Sequence, residues 1–407
     1  MTGPLSHIRV LDLTRVLAGP WATQLLADFG AEVIKIEKPG EGDDTRGWGP
    51  PFLTNADGSR GDAAYFLSAN RGKSSVAIDM ATSAGQQLIR EIARKSDIVI
   101  ENFKVGGLQK YGLDYEALRA VKSDLIYCSL TGFGQTGPYA QRAGYDFMIQ
   151  GMAGIMSVTG QPDGMPGAEP MKVGVAFADI FTGLYATIGI LGALYHRDRS
   201  GTGQFIDVAL LDSQVAVMAN QALNYLVGGK APTRLGNAHP NIVPYQTFAT
   251  RDGHIIVAVG TDRQFKEFCA IIGLPALSAD PQFRSNRDRV HNRHKLIPLL
   301  EDPMRGRTTD DWIAAFESAA IPCGPINTLD KVFADEQVRA RELAITLSRA
   351  DGTEIPGVAN PVRFSASPVT YAKAPPAFGE GTDRILRHLL GLETEDIAAL
   401  RATGAIG

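Results

Sequence analysis

Short apolar runs alternate with amphipathic stretches through the first third of the chain. IRVLDL (8–13), EVIKIE (32–37), SVAIDM (75–80), IVIENF (98–103) and LIYCSL (125–130) have the aliphatic, β-branched character of buried strands. PWATQLLADFG (20–30) and residues 83–95 carry the helical period between them, and a further helix fits between 103 and 125. Strands separated by helices of about ten residues predict right-handed crossovers and an α/β, Rossmann-like, largely parallel sheet. Ligands of such sheets sit beyond the carboxyl ends of the strands, which singles out the loops after 13, 37, 80, 103 and 130.

The pattern then changes. MKVGVAFADIFTGLYATIGILGALY (171–195) is nearly continuous in apolar residues and contains one acid, Asp179. The part after Asp179 runs for roughly 15 residues, short of the ~20 that span a bilayer. Gly183, Gly189 and Gly192 interrupt it and His196-Arg197 closes it, so a buried core helix is expected. A strand and a helix capped by Asp212 follow, then a hairpin around Asp252-Gly253 in TFATRDGHIIVAVG. Charge-laced helices run to about 320, and the end of the chain holds short strands, a Pro-rich loop and two last helices. This divides the chain into a large domain over 1–215, completed by 330–407, and a smaller α+β domain over 225–325.

Composition narrows the chemistry without choosing it. The chain has 407 residues with 40 Lys+Arg against 44 Asp+Glu, a formal net charge of −4, and no basic block or acidic tail. Neither a nucleic acid nor an anionic membrane is an expected partner, and any anionic ligand needs local cations. Cys128, Cys269 and Cys323 are far apart, which argues against a disulfide framework and a zinc site. With no secretory pattern in MTGPLSHIRVLDL, a cytoplasmic location is expected.

Several motifs have a dull explanation. Gly132-Phe-Gly134-Gln-Thr-Gly137 matches the dinucleotide fingerprint, but it follows a late strand and Pro138 breaks any helix there. His291 and His294 sit among Arg287, Arg289, Arg293 and Lys295, the composition of a solvated basic face. Arg15, Lys38, Arg46, Arg71, Lys73, Lys104 and Lys110 gather near the expected strand ends, where together they suit a polyphosphate-bearing ligand. Asp179 by itself reads as a helix N-cap.

Seven stretches carry a resemblance: VLDLTRVLAGPWATQLLADFGAEVIKIEKPGEGDDTRGW, SANRGKSSVAIDM, DIVIENFKVGGLQKYGLDYE, GFGQTGP, RAGYDF, GVAFADIFTGLYA and IPCGPIN. In this order they resemble the class III CoA-transferases, over essentially the whole chain, and AGYDF, GNAHPNIVPYQ and TRVLAGP look most like the succinyl-CoA:glutarate branch. The resemblance implies an interlocked homodimer with no prosthetic group. CoA would pass from an acyl-CoA such as succinyl-CoA to a small carboxylic acid, a C5-type dicarboxylate such as glutarate. It makes Asp179 the nucleophile, through aspartyl anhydride and aspartyl-CoA thioester intermediates, and maps CoA contacts to Val16, Lys38, Asn102, Phe103 and Lys110, with Arg142 near another. Tyr145, grouped with these CoA-binding residues, stands where the related α-methylacyl-CoA racemases have a histidine; a phenol is a poor proton shuttle at neutral pH, which favours transfer over racemisation. Leu17 replaces a functional glutamine of the formyl-CoA:oxalate enzymes, which tells against oxalate as acceptor. Arg15 and His239 are candidates for the acceptor's distal carboxylate.

Overall fold

The computed structural model describes residues 3–407. Its main sheet contains β1 (Arg9–Asp12), β2 (Glu32–Glu37), β5 (Lys73–Ala77), β6 (Ile98–Glu101), β7 (Ile126–Thr131) and β8 (Phe205–Ala209). The remaining strands are a hairpin of β3 (Phe52–Thr54) and β4 (Arg60–Ala63), a sheet of β9 (Tyr245–Ala249), β10 (His254–Ala258) and β11 (Cys323–Pro325), and a hairpin of β12 (Ala344–Ser348) and β13 (Glu354–Val358).

All neighbours in the main sheet are parallel, in the order β5-β2-β1-β6-β7-β8. Counting only these members, the order is that of a doubly wound nucleotide-binding sheet, and it reverses between β1 and β6. Both faces are buried. Val10, Val33, Ile98 and Ile126 turn to one side, where the helix Ala18–Asp28 supplies Ala22 and Leu26. Leu11, Ile34, Val99 and Tyr127 turn to the other, under Leu88, Ile89 and Ile92 of the helix Ser83–Arg94. Alternation along each strand with apolar residues on both faces is why these segments read as continuous greasy runs.

The apolar segment around Asp179 forms a 24-residue helix, Phe177–Ser200, longer than the run beyond Asp179 predicts because Phe177 and Ala178 precede the acid and the polar His196–Ser200 stay helical. By length and composition it is the one helix among the described residues that could cross a membrane. One face packs Ala186, Ile190, Ala193 and Leu194 against the main sheet's core. At Gly183, an added Cβ would lie 2.6 Å from the Ala18 carbonyl oxygen, so this helix and Ala18–Asp28 approach at backbone distance. Asp212 is not a cap: the helix Leu210–Ala216 starts straight from β8 with Ala209 at the N-cap and Asp212 in its first turn.

The chain divides into two compact units. One comprises Met1–Ile155, Val173–Leu223 and Glu336–Gly407; the other comprises Met156–Lys172 and Asn224–Asp335. The second unit has its own core, in which Phe248 of β9 and Ile255 and Val257 of β10 meet Phe265, Phe268, Trp312 and Phe316.

Candidate functional site

The turns leaving β1 and β6 meet at the point where strand order reverses. There they line a cavity of about 740 Å³ together with the 140–145 segment, Leu210 and Asp179. Arg15, Val16, Asn102, Phe103, Lys110, Arg142 and Tyr145, all singled out from the sequence, border this one cavity. Lys38 borders a neighbouring cavity of about 270 Å³, which also touches Arg15 and Phe103, and its ammonium pairs with Glu41 at 2.5 Å. His239 belongs to the second unit, where its Nδ1 accepts from the Asn241 N–H at 3.1 Å. Burial and the Arg293 charge push its pKa down, so it is a neutral hydrogen-bonding group at pH 7.

The predicted cation cluster separates. Arg15, Lys104 and Lys110 of that cluster do line the large cavity, where Arg142 joins them. Arg46 is instead held by Glu37 at 2.7 Å and Asp62 at 2.9 Å, Arg71 by Asp28 at 2.7 Å, and Lys73 by Asp12 at 3.2 Å. Those three are held in ion pairs because carboxylates from other elements come to them on folding. Of the other motifs, His291 and His294 fall on two different helices, Asn286–His291 and Arg293–Met304, and both are exposed. Burial pushes the Cys323 thiol up, the wrong direction for a nucleophile.

Asp179 is half-buried in the first turn of the long helix, whose N-cap is Ala176. The capping group comes from elsewhere. Asp146 Oδ1 accepts from the backbone N–H of Ala178 at 2.8 Å and of Asp179 at 3.3 Å, and its Oδ2 accepts from Gln150 Nε2 at 2.7 Å. Gln150 Oε1 in turn accepts from Val173 N–H at 2.9 Å, tying down the segment that leads into the helix. Among the described residues no donor or cation is bonded to the Asp179 carboxyl. Burial, and then the negative charge of Asp146, push its pKa up to about 7. The sequence signal for Asp146 was the RAGYDF stretch, but its partner lies 32 residues away and only the fold joins them.

A partly desolvated, unpartnered carboxyl on a basic-lined cavity is suited to attack an electrophile carried by an anionic ligand. The model of CoA-transferase family III matches residues 5–382. The chain belongs to this family. CoA-transferases use a CoA thioester as co-substrate, which suits the cations on the cavity lining. Among relatives of this CoA-transferase, the succinate–glutarate CoA-transferase of Agrobacterium fabrum is 52% identical over 390 residues, covering 96% of both chains. The human succinyl-CoA:glutarate CoA-transferase is 42% identical, covering 99% of this chain and 90% of its own. A CAIB/BAIF family protein from Brucella suis has a solved structure that superposes with a TM-score of 0.84 at 51% identity, covering 96% of this CoA-transferase and 100% of its own chain.

Proposed function

We propose that this CoA-transferase moves CoA from succinyl-CoA to glutarate, with Asp179 as the covalent nucleophile. The substrate pair is supported by the names of relatives in two kingdoms that match nearly the whole chain. The observation that carries the nucleophile is the Asp179 carboxyl itself, bordering the cavity with no bonded partner among the described residues.

The ionised carboxylate attacks the succinyl-CoA carbonyl, forming a mixed anhydride and expelling CoA thiolate. The thiolate attacks the aspartyl carbonyl, which releases succinate and leaves an aspartyl-CoA thioester. Glutarate attacks that thioester, giving a second anhydride and thiolate again. The thiolate then takes the glutaryl group and frees Asp179. One thioester replaces another, so no ATP is needed. Water must be kept out, since both kinds of intermediate hydrolyse, and the apolar surroundings of the helix serve that end. The helix N-terminus favours the negative charge at each return to the free carboxylate.

Val16, Asn102, Phe103, Lys110, Arg142 and Tyr145 are read as contacts of the CoA chain, with Lys38 reaching it from the adjacent cavity. Arg15 and His239 remain the candidates for the acceptor's distal carboxylate: the first is a cation and the second a neutral donor. The enzyme is read as a cytoplasmic homodimer; three free cysteines and the large exposed apolar side chains support that reading.

Intact-protein mass spectrometry after mixing with succinyl-CoA tests the nucleophile. The wild-type chain should gain a CoA-sized adduct that hydroxylamine removes, and Asp179→Asn should gain none and lose activity by about 10⁴-fold or more. An Asp179→Asn enzyme at full speed would refute it. For the acceptor site, Arg15→Ala or His239→Ala should raise the glutarate KM; an unchanged KM in both discards that assignment.

A further inference from the structure

Val16 has a φ of 70°, left-handed backbone that a β-branched residue rarely adopts. It sits on the cavity wall, so something must hold it there. The restraint comes from below. Asp12, Lys35 and Lys73 are fully buried and Asp43 is 1% exposed. Lys35 Nζ donates to the Thr14 carbonyl at 2.7 Å and pairs with Asp43 at 2.9 Å. Asp43 Oδ1 accepts from the Val16 N–H at 3.4 Å, and Asp12 Oδ1 accepts from the Thr14 N–H at 2.9 Å. Lys73 completes the balance at Asp12. From the cavity side, the Asn102 side chain grips Arg15 twice, accepting from its N–H at 2.9 Å and donating to its carbonyl at 2.7 Å.

Burying four charges is a poor route to stability, because apolar residues of the same volume serve at least as well. What the charges supply that apolar residues do not is directed hydrogen bonding to the 14–16 backbone. We infer that the Lys35–Asp43 pair, with Asp12 and Lys73 beneath it, positions the CoA pocket by holding Val16 in its left-handed conformation. The inference rests on the reading of this cavity as the CoA site. Lys35 and Asp43 are absent from the lining of the large cavity and reach it through the turn, although both border the smaller cavity beside Lys38.

Binding of free CoA, measured by titration calorimetry, separates the possibilities. The charge-balanced double variant Lys35→Met/Asp43→Asn should stay folded by circular dichroism and bind CoA at least tenfold more weakly. Adding Val16→Gly should recover threefold or more of that loss, since glycine reaches a φ of 70° without a steric penalty. If the double variant does not fold, the single Asp43→Asn, outside the lining of the large cavity, takes its place: a lost turn restraint at the Val16 N–H is recovered by Val16→Gly, whereas a general loosening is not. A folded variant that binds CoA within twofold of wild type, or a loss that glycine fails to recover, overturns the inference. A wild-type chain that binds no CoA brings down the functional reading and the inference with it; binding by wild type with indifferent variants brings down the inference alone.

Discussion

A carboxyl with a pKa near 7 is only half ionised at neutral pH, and only the ionised form attacks a thioester. Below about 7 Asp179 is protonated and idle; above it the carboxylate is present and the rate levels off. The pH profile of kcat/KM for succinyl-CoA should therefore rise through about 7 to a plateau. Burial is the larger cause of the shift and the Asp146 charge the smaller. Asp146→Asn keeps an oxygen for the Ala178 and Asp179 amides but removes the charge, so the rising limb should move to lower pH while burial holds it above the ordinary 3.8. A limb that stays where it was in Asp146→Asn would show that the two carboxyls are not coupled. Legibility ended at this scale. Asp179 stood out as the lone acid in an oily segment, but its environment depends on Asp146 and Gln150, whose approach no local pattern encodes.

At the scale of elements, the glycine-rich turn after β7 has a different purpose from the one its spacing suggests. A Cβ on Gly132 would stand 2.5 Å from the Gly144 Cα, and one on Gly144 would stand 2.3 Å from the Gly132 Cα. The two backbones cross in contact, and the chain leaving Gly144 becomes Tyr145 on the cavity and Asp146 on the helix cap. Gly132→Ala should cost about 1–3 kcal/mol in urea unfolding, the usual penalty for overpacking a site that cannot yield. It should also lower kcat beyond any loss of folded protein, because the crossing sets where Asp146 sits. A variant with full kcat at matched folded concentration would refute that link. The parallel strands were legible because both of their faces are buried, so EVIKIE falls on β2 residue for residue. SVAIDM begins two residues late and ends three late, the end because Asp79 turns the chain and its carboxylate accepts from the Ala81 N–H at 2.9 Å. The β3–β4 hairpin escaped notice because Phe52–Thr54 and Arg60–Ala63 lack apolar alternation, and Arg60 covers Phe52 from 3.5 Å. Lys35 and Lys73 were the deeper difficulty. A lysine in a strand reads as a solvated or ligand-facing charge, and the burial of these two follows from partners that only folding supplies, Asp43 for Lys35 and Asp12 for Lys73.

The helix Phe177–Ser200 also bears on the whole molecule. Its inner face is packed, yet Leu184, Ile188 and Tyr195, which recur at helical spacing, are 36%, 63% and 65% exposed. A helix apolar on two faces needs two coverings, and the main sheet supplies one. In the homodimer proposed above, a second copy of the chain would cover the other, and the catalytic consequence is specific. Asp179 lies two turns and a fraction before Ile188 on the same rigid helix, so covering that face also steadies the first turn that carries the carboxyl. Ile188→Lys puts one charge from each protomer into the covering surface, where burying each isoleucine would have contributed about 1.5–3 kcal/mol. Sedimentation analysis of the wild type at micromolar concentration should give twice the 43.6 kDa chain mass, and Ile188→Lys should shift it toward the single chain with a parallel fall in CoA transfer. A wild-type chain that sediments as one copy while fully active would show that this face needs no second copy, and a monomeric, fully active Ile188→Lys variant would show that covering it does not steady Asp179.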